Sequence, residues 1–291
     1  MGVWPVFLQQ VANGLVNGTS YVLVAVGLTL VFGVLRIVNF AHGEFYMLGA
    51  FLTFFASQLL GLHYVPAVAV ATVLVAGLGI VANLFFFRPL RREHEFTILL
   101  SSLGLSLLLA HGGETVFGAD PKYIGSPFAD VPVRIGSVFL TVQRVIVFGA
   151  ALVLIGLVHL FIRYTTLGRM MQATAQNPEG AALTGINIDW VHTYTFALAC
   201  GLAAAAGALL GPTGIIYPTI GEWAVIKAFI VVVMGGLGSI GGAVIGGLAL
   251  GLVEALGANY VSIAFKDAIG YGIIILVLLL RPAGLFAASR T

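Results

Sequence analysis

The sequence predicts an all-α integral membrane protein, a polytopic bundle of about 8–10 transmembrane helices with discontinuous or re-entrant segments. Hydrophobic residues make up 60% of the 291-residue chain and charged residues only 8%, whereas a globular domain carries about 25% charged residues. Glycine contributes 38 residues, about twice its usual ~7% share, which favours closely packed and broken helices. We expect a single transmembrane domain over residues 1–291.

The charge and cysteine content exclude several other classes of protein. A net charge of +2 is too small for a surface that binds nucleic acid. Cys200 is the single cysteine, which excludes an internal disulfide and a cysteine-ligated zinc site. No Lys or Arg precedes Arg36, so we expect no cleavable signal peptide, which would need a positively charged start.

Membrane spans are predicted wherever about 20 mostly apolar residues follow one another with few or no Asp, Glu, Lys or Arg. In chain order these stretches are residues 1–35, two segments between Glu44 and Arg88 separated near residues 61–64, residues 96–113, 145–162, 190–221 and 223–258, and residues 262–280. The stretch 190–221 is expected to end its span at Gly211-Pro212. The stretch 223–258 is too long for one span, and its Gly-rich residues 235–242 predict a turn within a hairpin.

Basic residues outside the spans predict the orientation, because they favour the cytoplasmic side. One side carries Arg36, Arg88, Arg91, Arg92, Arg163, Arg169, Arg281 and Arg290, and the other carries Lys122, Arg134 and Arg144. This bias predicts an outside N-terminus, a cytoplasmic C-terminus and an odd number of crossings, about nine. Fewer follow if 223–258 only re-enters the membrane, and more follow if 1–35 doubles back.

A polar cluster at the start of a long apolar stretch is the first candidate site. It contains Asn39, Phe40, His42, Gly43 and Glu44. Ionisable side chains inside a membrane are usually paired or line a pathway, and Gly43 permits a break of the kind from which transporters build central sites. An alternative is equally compatible with the sequence: His42 and Glu44 cap a helix at the interface, since Arg36 lies nearby.

The Gly-rich residues 235–242 are the second candidate site. They include Gly235, Gly236, Gly238 and Ser239. Gly238, Gly242 and Gly246 follow one another at a spacing of four, which lets helix backbones approach closely. A phosphate loop needs Gly-x-x-x-x-Gly-Lys-Ser/Thr, and no Lys in this chain is followed by Ser or Thr. The chain therefore shows no nucleotide-binding motif.

The loop 163–189 is the third candidate site. Asn177 suits a helix N-cap, Pro178 the first helical position, and Glu179 the first turn. Gly185 suits the position just past the end, so a helix is predicted over residues 178–184. Such a short helix needs packing on another surface, which is either a cleft of a soluble partner or its own bundle.

The other charged or reactive residues in apolar stretches have weaker interpretations. Lys227 is expected to extend its side chain to an interface. Lys266 and Asp267 are expected to pair locally, and Cys200 is expected to be a small buried apolar residue.

A set of short motifs follows a definite order along the chain. They are Asn13-Gly14, residues 27–30, 38–44 and 49–50, the loop residues 168–186, residues 227–229 and 235–240, and the tail 281–286. In this order they resemble the permease subunits of high-affinity branched-chain amino acid ABC importers, over nearly the whole chain. The Asn-Phe-Ala-His-Gly-Glu run is similar to the shorter of the two paired permeases. Gly241 departs from the family, which often has Pro there.

The resemblance implies a permease domain over residues 1–291 that translocates its substrate without covalent chemistry. It therefore implies that the chain is not an enzyme and binds no cofactor. The first two candidate sites would line the translocation path. Two partner ATPase subunits would bind ATP and receive a coupling helix within the loop 163–189, through Arg169, Asn177, Pro178, Glu179, Ala181, Ala182 and Gly185. A second permease, in a heterodimer or a homodimer, and an extracytoplasmic binding protein would complete an importer in the bacterial inner membrane.

Alternatives concern the substrate and the source of energy. In the family that the chain resembles, related systems carry urea, short amides or other amino acids, and the permease motifs do not separate these substrates because the external binding protein makes most of the selection. An ion-coupled secondary transporter would use Glu44, Glu222 or Glu254 as proton or cation sites, but it would leave the capped helix of the loop 163–189 without a partner. An intramembrane enzyme with Ser239 as nucleophile lacks a clearly placed His on neighbouring spans.

Overall fold

The computed structural model of the chain describes residues 3–91, 93–281 and 284–285, a bundle of helices with one β-hairpin. The helices are α1 (Val3–Leu35), α2 (His42–Leu59), α3 (Tyr64–Ala82), α4 (Glu95–Phe117), α5 (Val142–Tyr164), α6 (Thr166–Gln176), α7 (Pro178–Leu183), α8 (Ile188–Leu210), α9 (Ile220–Gly235), α10 (Ile240–Tyr260) and α11 (Lys266–Leu280). A π-helical turn, Asn83–Phe87, continues α3. The antiparallel hairpin consists of β1 (Pro132–Ile135) and β2 (Val138–Thr141).

Some residues used in the sequence argument lie outside the described residues. Arg92 and Arg290 contribute to the predicted orientation, and Pro282, Ala283 and Phe286 contribute to the family resemblance.

Within the described chain, 7 helices are long and apolar enough to cross a membrane, which confirms an all-α polytopic membrane protein. They are Val3–Leu35, Tyr64–Phe87, Glu95–Phe117, Val142–Tyr164, Ile188–Thr213, Ile240–Tyr260 and Ile263–Leu280. Two shorter helices, α2 with 18 residues and α9 with 16, each adjoin one of the predicted breaks. The helices also end where the sequence predicts, near residues 61–64, 211–213 and 235–242.

The loops gather at two ends of the bundle. At the inner end, where most of the arginines lie, the Arg36 guanidinium is 3.5 Å from the carbonyl oxygen of Ala175. At the outer end, the Gln9 side chain hydrogen-bonds the backbone of Phe139 in the β-hairpin. The helix α1 therefore runs from the outer end to the inner end of the bundle.

Small residues hold the centre of the bundle together. A Cβ on Gly18 of α1 would lie only 2.9 Å from the carbonyl oxygen of Gly247 on α10, so the two backbones are in direct contact. Gly242 and Gly246 pack in the same way against α9. The predicted role of the Gly spacing is confirmed, because only residues without a side chain permit this approach. Cys200 is buried, also as expected.

Candidate functional site

The first candidate segment re-enters the bundle before α2 begins. Arg36 turns the chain after α1 in a left-handed conformation, with φ of 57°, and no helix forms again until His42. His42 Nε2 then lies 3.1 Å from the carbonyl oxygen of Val24 in α1. Val24 is about 16 Å along α1 from its last residue, Leu35, at 1.5 Å per residue. The helix α2 therefore starts deep in the bundle.

Three side chains of this segment are buried and incompletely hydrogen-bonded. Asn39 Nδ2, His42 Nδ1 and Glu44 Oε2 have no hydrogen-bond partner among the described residues. The remaining polar atoms of Asn39 and Glu44 do have partners: Asn39 Oδ1 accepts from the Ala41 N–H at 3.1 Å, and Glu44 Oε1 accepts from Ser106 Oγ at 3.1 Å. A buried unsatisfied group costs about 1–3 kcal/mol. Depth and burial favour a functional segment over a cap at the interface.

Neighbouring helices hold this break in place. The Phe40 N–H donates to Ser102 Oγ of α4 at 3.3 Å, and the Phe40 ring stacks on Phe229 of α9 with centroids 6.4 Å apart. Gly43 lies directly against Gly221 of α9, so that a Cβ on Gly43 would overlap the carbonyl oxygen of Gly221. The break is thus clamped between α4 and α9.

The second candidate segment is a tight turn at the inner end, between α9 and α10. Gly236 and Gly238 have φ of 98° and 83°, a conformation that favours glycine. The Gly242 N–H donates to Ser239 Oγ at 3.1 Å, so Ser239 is the N-cap of α10. The backbones of Gly235 and Gly242 are in direct contact. This geometry commits the Ser239 hydroxyl to capping the helix.

Two cavities lie on either side of the first segment. The inner cavity, about 880 Å³, is lined by Val38, which directly precedes the first candidate segment, and by Gly238 of the second, together with parts of α1, α4 and α6. The outer cavity, about 190 Å³, is lined by α1, α2, α9, α11 and the turn after α8, with Tyr21, Tyr46 and Trp223 among its residues. Residues 38–46 therefore run from one cavity to the other.

A buried charge cluster beside the outer cavity was missed by the sequence reasoning. Lys227 of α9, only 2% exposed, pairs with Glu254 of α10 at 2.5 Å and with Asp267 of α11 at 2.7 Å. Tyr21 of α1 donates a hydrogen bond to Glu254 at 2.8 Å, and Lys266 lies 3.8 Å from the same carboxylate. The cluster joins four helices across the outer half of the bundle.

This cluster corrects two expectations. Lys227 does not extend to an interface, because two carboxylates from other helices neutralise it inside the bundle. Lys266 and Asp267 do not form a local pair; each described contact joins one of them to a different helix. The signal was an ionisable residue in each of several apolar stretches, but sequence alone did not show which stretches are neighbours.

The third candidate segment contains the short helix α7. Its N-cap is Asn177, whose Oδ1 accepts from the Gly180 N–H at 2.9 Å. The helix covers Pro178–Leu183, and Gly185 follows with φ of 86°. The predicted cap, first residue and terminator are confirmed, and the helix ends one residue earlier than predicted.

The helix α7 presents a small outward surface. Glu179 and Ala182 are exposed, and the apolar side chain of Leu183 is 90% exposed. Ala181 instead is buried against its own chain, so it can support α7 but not touch a partner. Arg169 lies exposed on α6, the preceding helix. Sequence reasoning did not single out Leu183, because its burial depends on how α7 packs.

The fold and the site together define a class of protein. A bundle of membrane-crossing helices holds a polar segment, non-helical up to Ala41, between an inner and an outer cavity, and membrane transport proteins build central sites from such interrupted helices. Among the described residues, no group of His, Cys, Asp and Glu could hold a metal ion.

The family follows from comparison with known proteins. A family described as "Branched-chain amino acid transport system / permease component" matches residues 10–278. The chain belongs to this family and is a multi-pass permease subunit.

Two relatives and one solved structure illustrate the similarity. The chain is 38% identical over 293 residues to the high-affinity branched-chain amino acid transport system permease protein BraD of Pseudomonas aeruginosa, covering 96% of this chain and 95% of that one. It is 37% identical over 297 residues to the corresponding protein LivH of Escherichia coli K12, with the same coverage. PsaBC from Streptococcus pneumoniae, solved with a Fab, gives a TM-score of 0.44 at 16% identity over 92% of this chain and 87% of that one. That structural similarity is too weak to support an inference.

Proposed function

We propose that this chain moves branched-chain amino acids through the bacterial inner membrane as one permease subunit of an ATP-driven importer. The observation that carries the mechanism is the position of residues 38–46 between the two cavities. The names of the relatives BraD and LivH support the substrate class.

In the proposed mechanism, the segment 38–46 is the barrier that opens during transport. Asn39 Nδ2 is a donor and Glu44 Oε2 an acceptor. His42 Nδ1 is an acceptor in the tautomer whose Nε2 donates to the Val24 carbonyl oxygen. All three atoms are unsatisfied among the described residues. An amino acid carries an ammonium group and a carboxylate, so it offers both a donor and an acceptor as it passes. Hydrogen bonds that form only while the substrate passes lower the free-energy cost of leaving the closed state.

We further propose that the driving subunits lie outside this chain. Two ATPases would bind ATP, a second permease would complete the path, and an extracytoplasmic binding protein would deliver the substrate at the outer end. ATP can shift such a system only if the partners bind its two states with different affinity. The exposed surface of α7, with Ala182 and Leu183, is the proposed contact with an ATPase.

The α7 contact is tested by Ala182→Glu, with Phe139→Glu at the outer end as the matched control. We expect Ala182→Glu to abolish co-purification of the ATPase, because the Glu side chain is charged and larger than the native methyl group and so cannot enter a close-packed cleft. Membrane insertion should be unchanged, and Phe139→Glu should co-purify normally. Normal ATPase recovery with Ala182→Glu would remove α7 from the contact.

The transport proposal is tested by uptake of labelled leucine into proteoliposomes that hold this chain together with the ATPase, the second permease and the binding protein encoded by neighbouring genes. We expect uptake that requires ATP and disappears when the binding protein is omitted. ATP-dependent uptake of urea or a short amide in place of leucine would overturn the substrate class. Uptake driven by an ion gradient without an ATPase would overturn the importer and point to the buried carboxylates.

A further inference from the structure

A continuous groove runs along the outside of the bundle between α3 and α8. Its upper part is an apolar cavity of about 780 Å³, lined by α3, α5 and α8, and its lower part is a cavity of about 290 Å³ at the inner end of α3 and α8. Tyr194 lines both parts. From Trp190 to Ala205 the groove follows α8 for about 22 Å at 1.5 Å per residue, which is more than one leaflet of a ~30 Å hydrocarbon core.

The upper part of the groove is built for a hydrocarbon chain. Its floor consists of small residues on α8, Ala197, Gly201 and Ala205, and its rims carry exposed apolar side chains such as Val73 and Leu157. These helices belong to predicted membrane spans, so the upper part of the groove lies at the depth of the hydrocarbon core.

The lower part of the groove has the opposite chemistry. Arg88 and Arg91 both pair with the single carboxylate of Asp189, and Arg88 is 2.9 Å from it. Two guanidinium groups against one carboxylate leave an excess positive charge at the mouth of the groove. Trp190 and Tyr194 stand next to this charge, and such aromatic side chains favour the level of the lipid headgroups.

We propose that this groove binds one anionic phospholipid, with an acyl chain between α3, α5 and α8 and its phosphate at Arg88 and Arg91. The charge excess selects this occupant over a helix of a partner subunit, which would have to bury the uncompensated charge. Basic pockets between membrane helices near the cytoplasmic face bind anionic headgroups in this way. The assignment does not depend on which substrate the permease carries.

The test uses the full chain, expressed with its neighbouring subunits, stripped of lipid in detergent and titrated with phosphatidylglycerol or phosphatidylcholine. Bound lipid is counted by native mass spectrometry, and the melting temperature is followed in parallel. We expect phosphatidylglycerol to bind and stabilise the wild-type chain more strongly than phosphatidylcholine. Equal binding of the two lipids would overturn the proposal.

Two variants separate the headgroup from the acyl chain. Arg88→Gln should weaken the binding of phosphatidylglycerol about fivefold, the usual effect of one Arg near a membrane surface. It should also remove the preference for phosphatidylglycerol over phosphatidylcholine. Leu157→Trp should fill the groove and reduce the retention of both lipids. The matched controls are Arg134→Gln in the outer hairpin and Leu107→Trp, which is as exposed on α4 as Leu157 is on α5.

A photoreactive side chain in place of Leu157 identifies the occupant in membranes. Labelling of a phospholipid supports the proposal. Labelling of another protein chain, or wild-type lipid retention by Leu157→Trp, would overturn it.

Discussion

The two breaks in the helical bundle occupy similar places in the sequence, within apolar stretches, but differ in structure. Both interrupt apolar stretches, and both contain glycine and polar residues. The turn at residues 235–242 stays at the inner end, and the Ser239 hydroxyl is satisfied as a helix cap. The segment at residues 36–41 climbs into the bundle, and the polar side chains in it and after it have unsatisfied atoms.

The two breaks thus differ in whether their polar groups find partners within the described structure. Glycine at 235–242 serves packing and turn geometry, which are structural requirements. Asn39, His42 and Glu44 each keep an atom whose desolvation no hydrogen bond from the described chain offsets, and these three lie together in one segment between the two cavities. The first break is therefore the stronger candidate for the translocation path.

The largest expected effect separates the two breaks by their packing. Gly43→Ala places a methyl group in the carbonyl oxygen of Gly221, so α2 and α9 must move apart. We expect most of the folded protein and nearly all uptake to be lost, as measured by size-exclusion chromatography and transport. The control is Gly241→Ala in the second break, where a Cβ meets open space. It should be neutral or stabilising by up to about 1 kcal/mol. Normal folding of Gly43→Ala would show that the close contact is not required.

The second effect concerns chemistry rather than packing. Glu44→Gln keeps the shape and the hydrogen bond from Ser106 but removes the carboxylate charge. A hydrogen bond between the substrate ammonium group and a charged carboxylate contributes about 1.5–3 kcal/mol. We therefore expect uptake to fall at least about tenfold, with normal assembly. Leucine uptake and ATPase activity are measured together, and Glu114→Gln, exposed at the outer end of α4, is the control. Unchanged uptake would reduce Glu44 to a structural residue.

The smallest effect is expected in the second break. Ser239→Ala removes the N-cap of α10 and should destabilise the protein by about 1 kcal/mol, while uptake stays within about twofold. Thermal unfolding measures the first quantity, and Ser239→Asn, which keeps a capping oxygen, should restore it. A large loss of uptake at normal stability would place Ser239 on the translocation path and remove the contrast between the breaks.

Local signals in the sequence predicted much of the architecture. Apolar length predicted the spans, and Asn177, Pro178 and Gly185 predicted α7 to within one residue, because caps and terminators act through neighbouring backbone groups. Gly242 and Gly246 were predicted to permit close packing, and they do so against α9. These successes share a cause: each depends on a few consecutive residues or on composition.

The relative depth of helices could not be predicted in this way. In an 18-residue apolar stretch of α1, 89% of the residues are buried, against 17% in α5. Both stretches are apolar enough for a membrane, and hydrocarbon and protein interior favour the same side chains. Which helix is central depends on packing, so the sequence did not separate the two.

The sequence by itself determined the class of protein, the positions of the spans and the caps of α7, because hydropathy and capping are properties of short segments. Only the tertiary structure decided that His42 lies beside Val24, that Lys227 meets Glu254 and Asp267, and that Arg88 stands at the mouth of a groove. Each of these contacts joins residues far apart in the chain. Their formation depends on which helices pack together, and that choice is made by the complementary surfaces of the whole bundle.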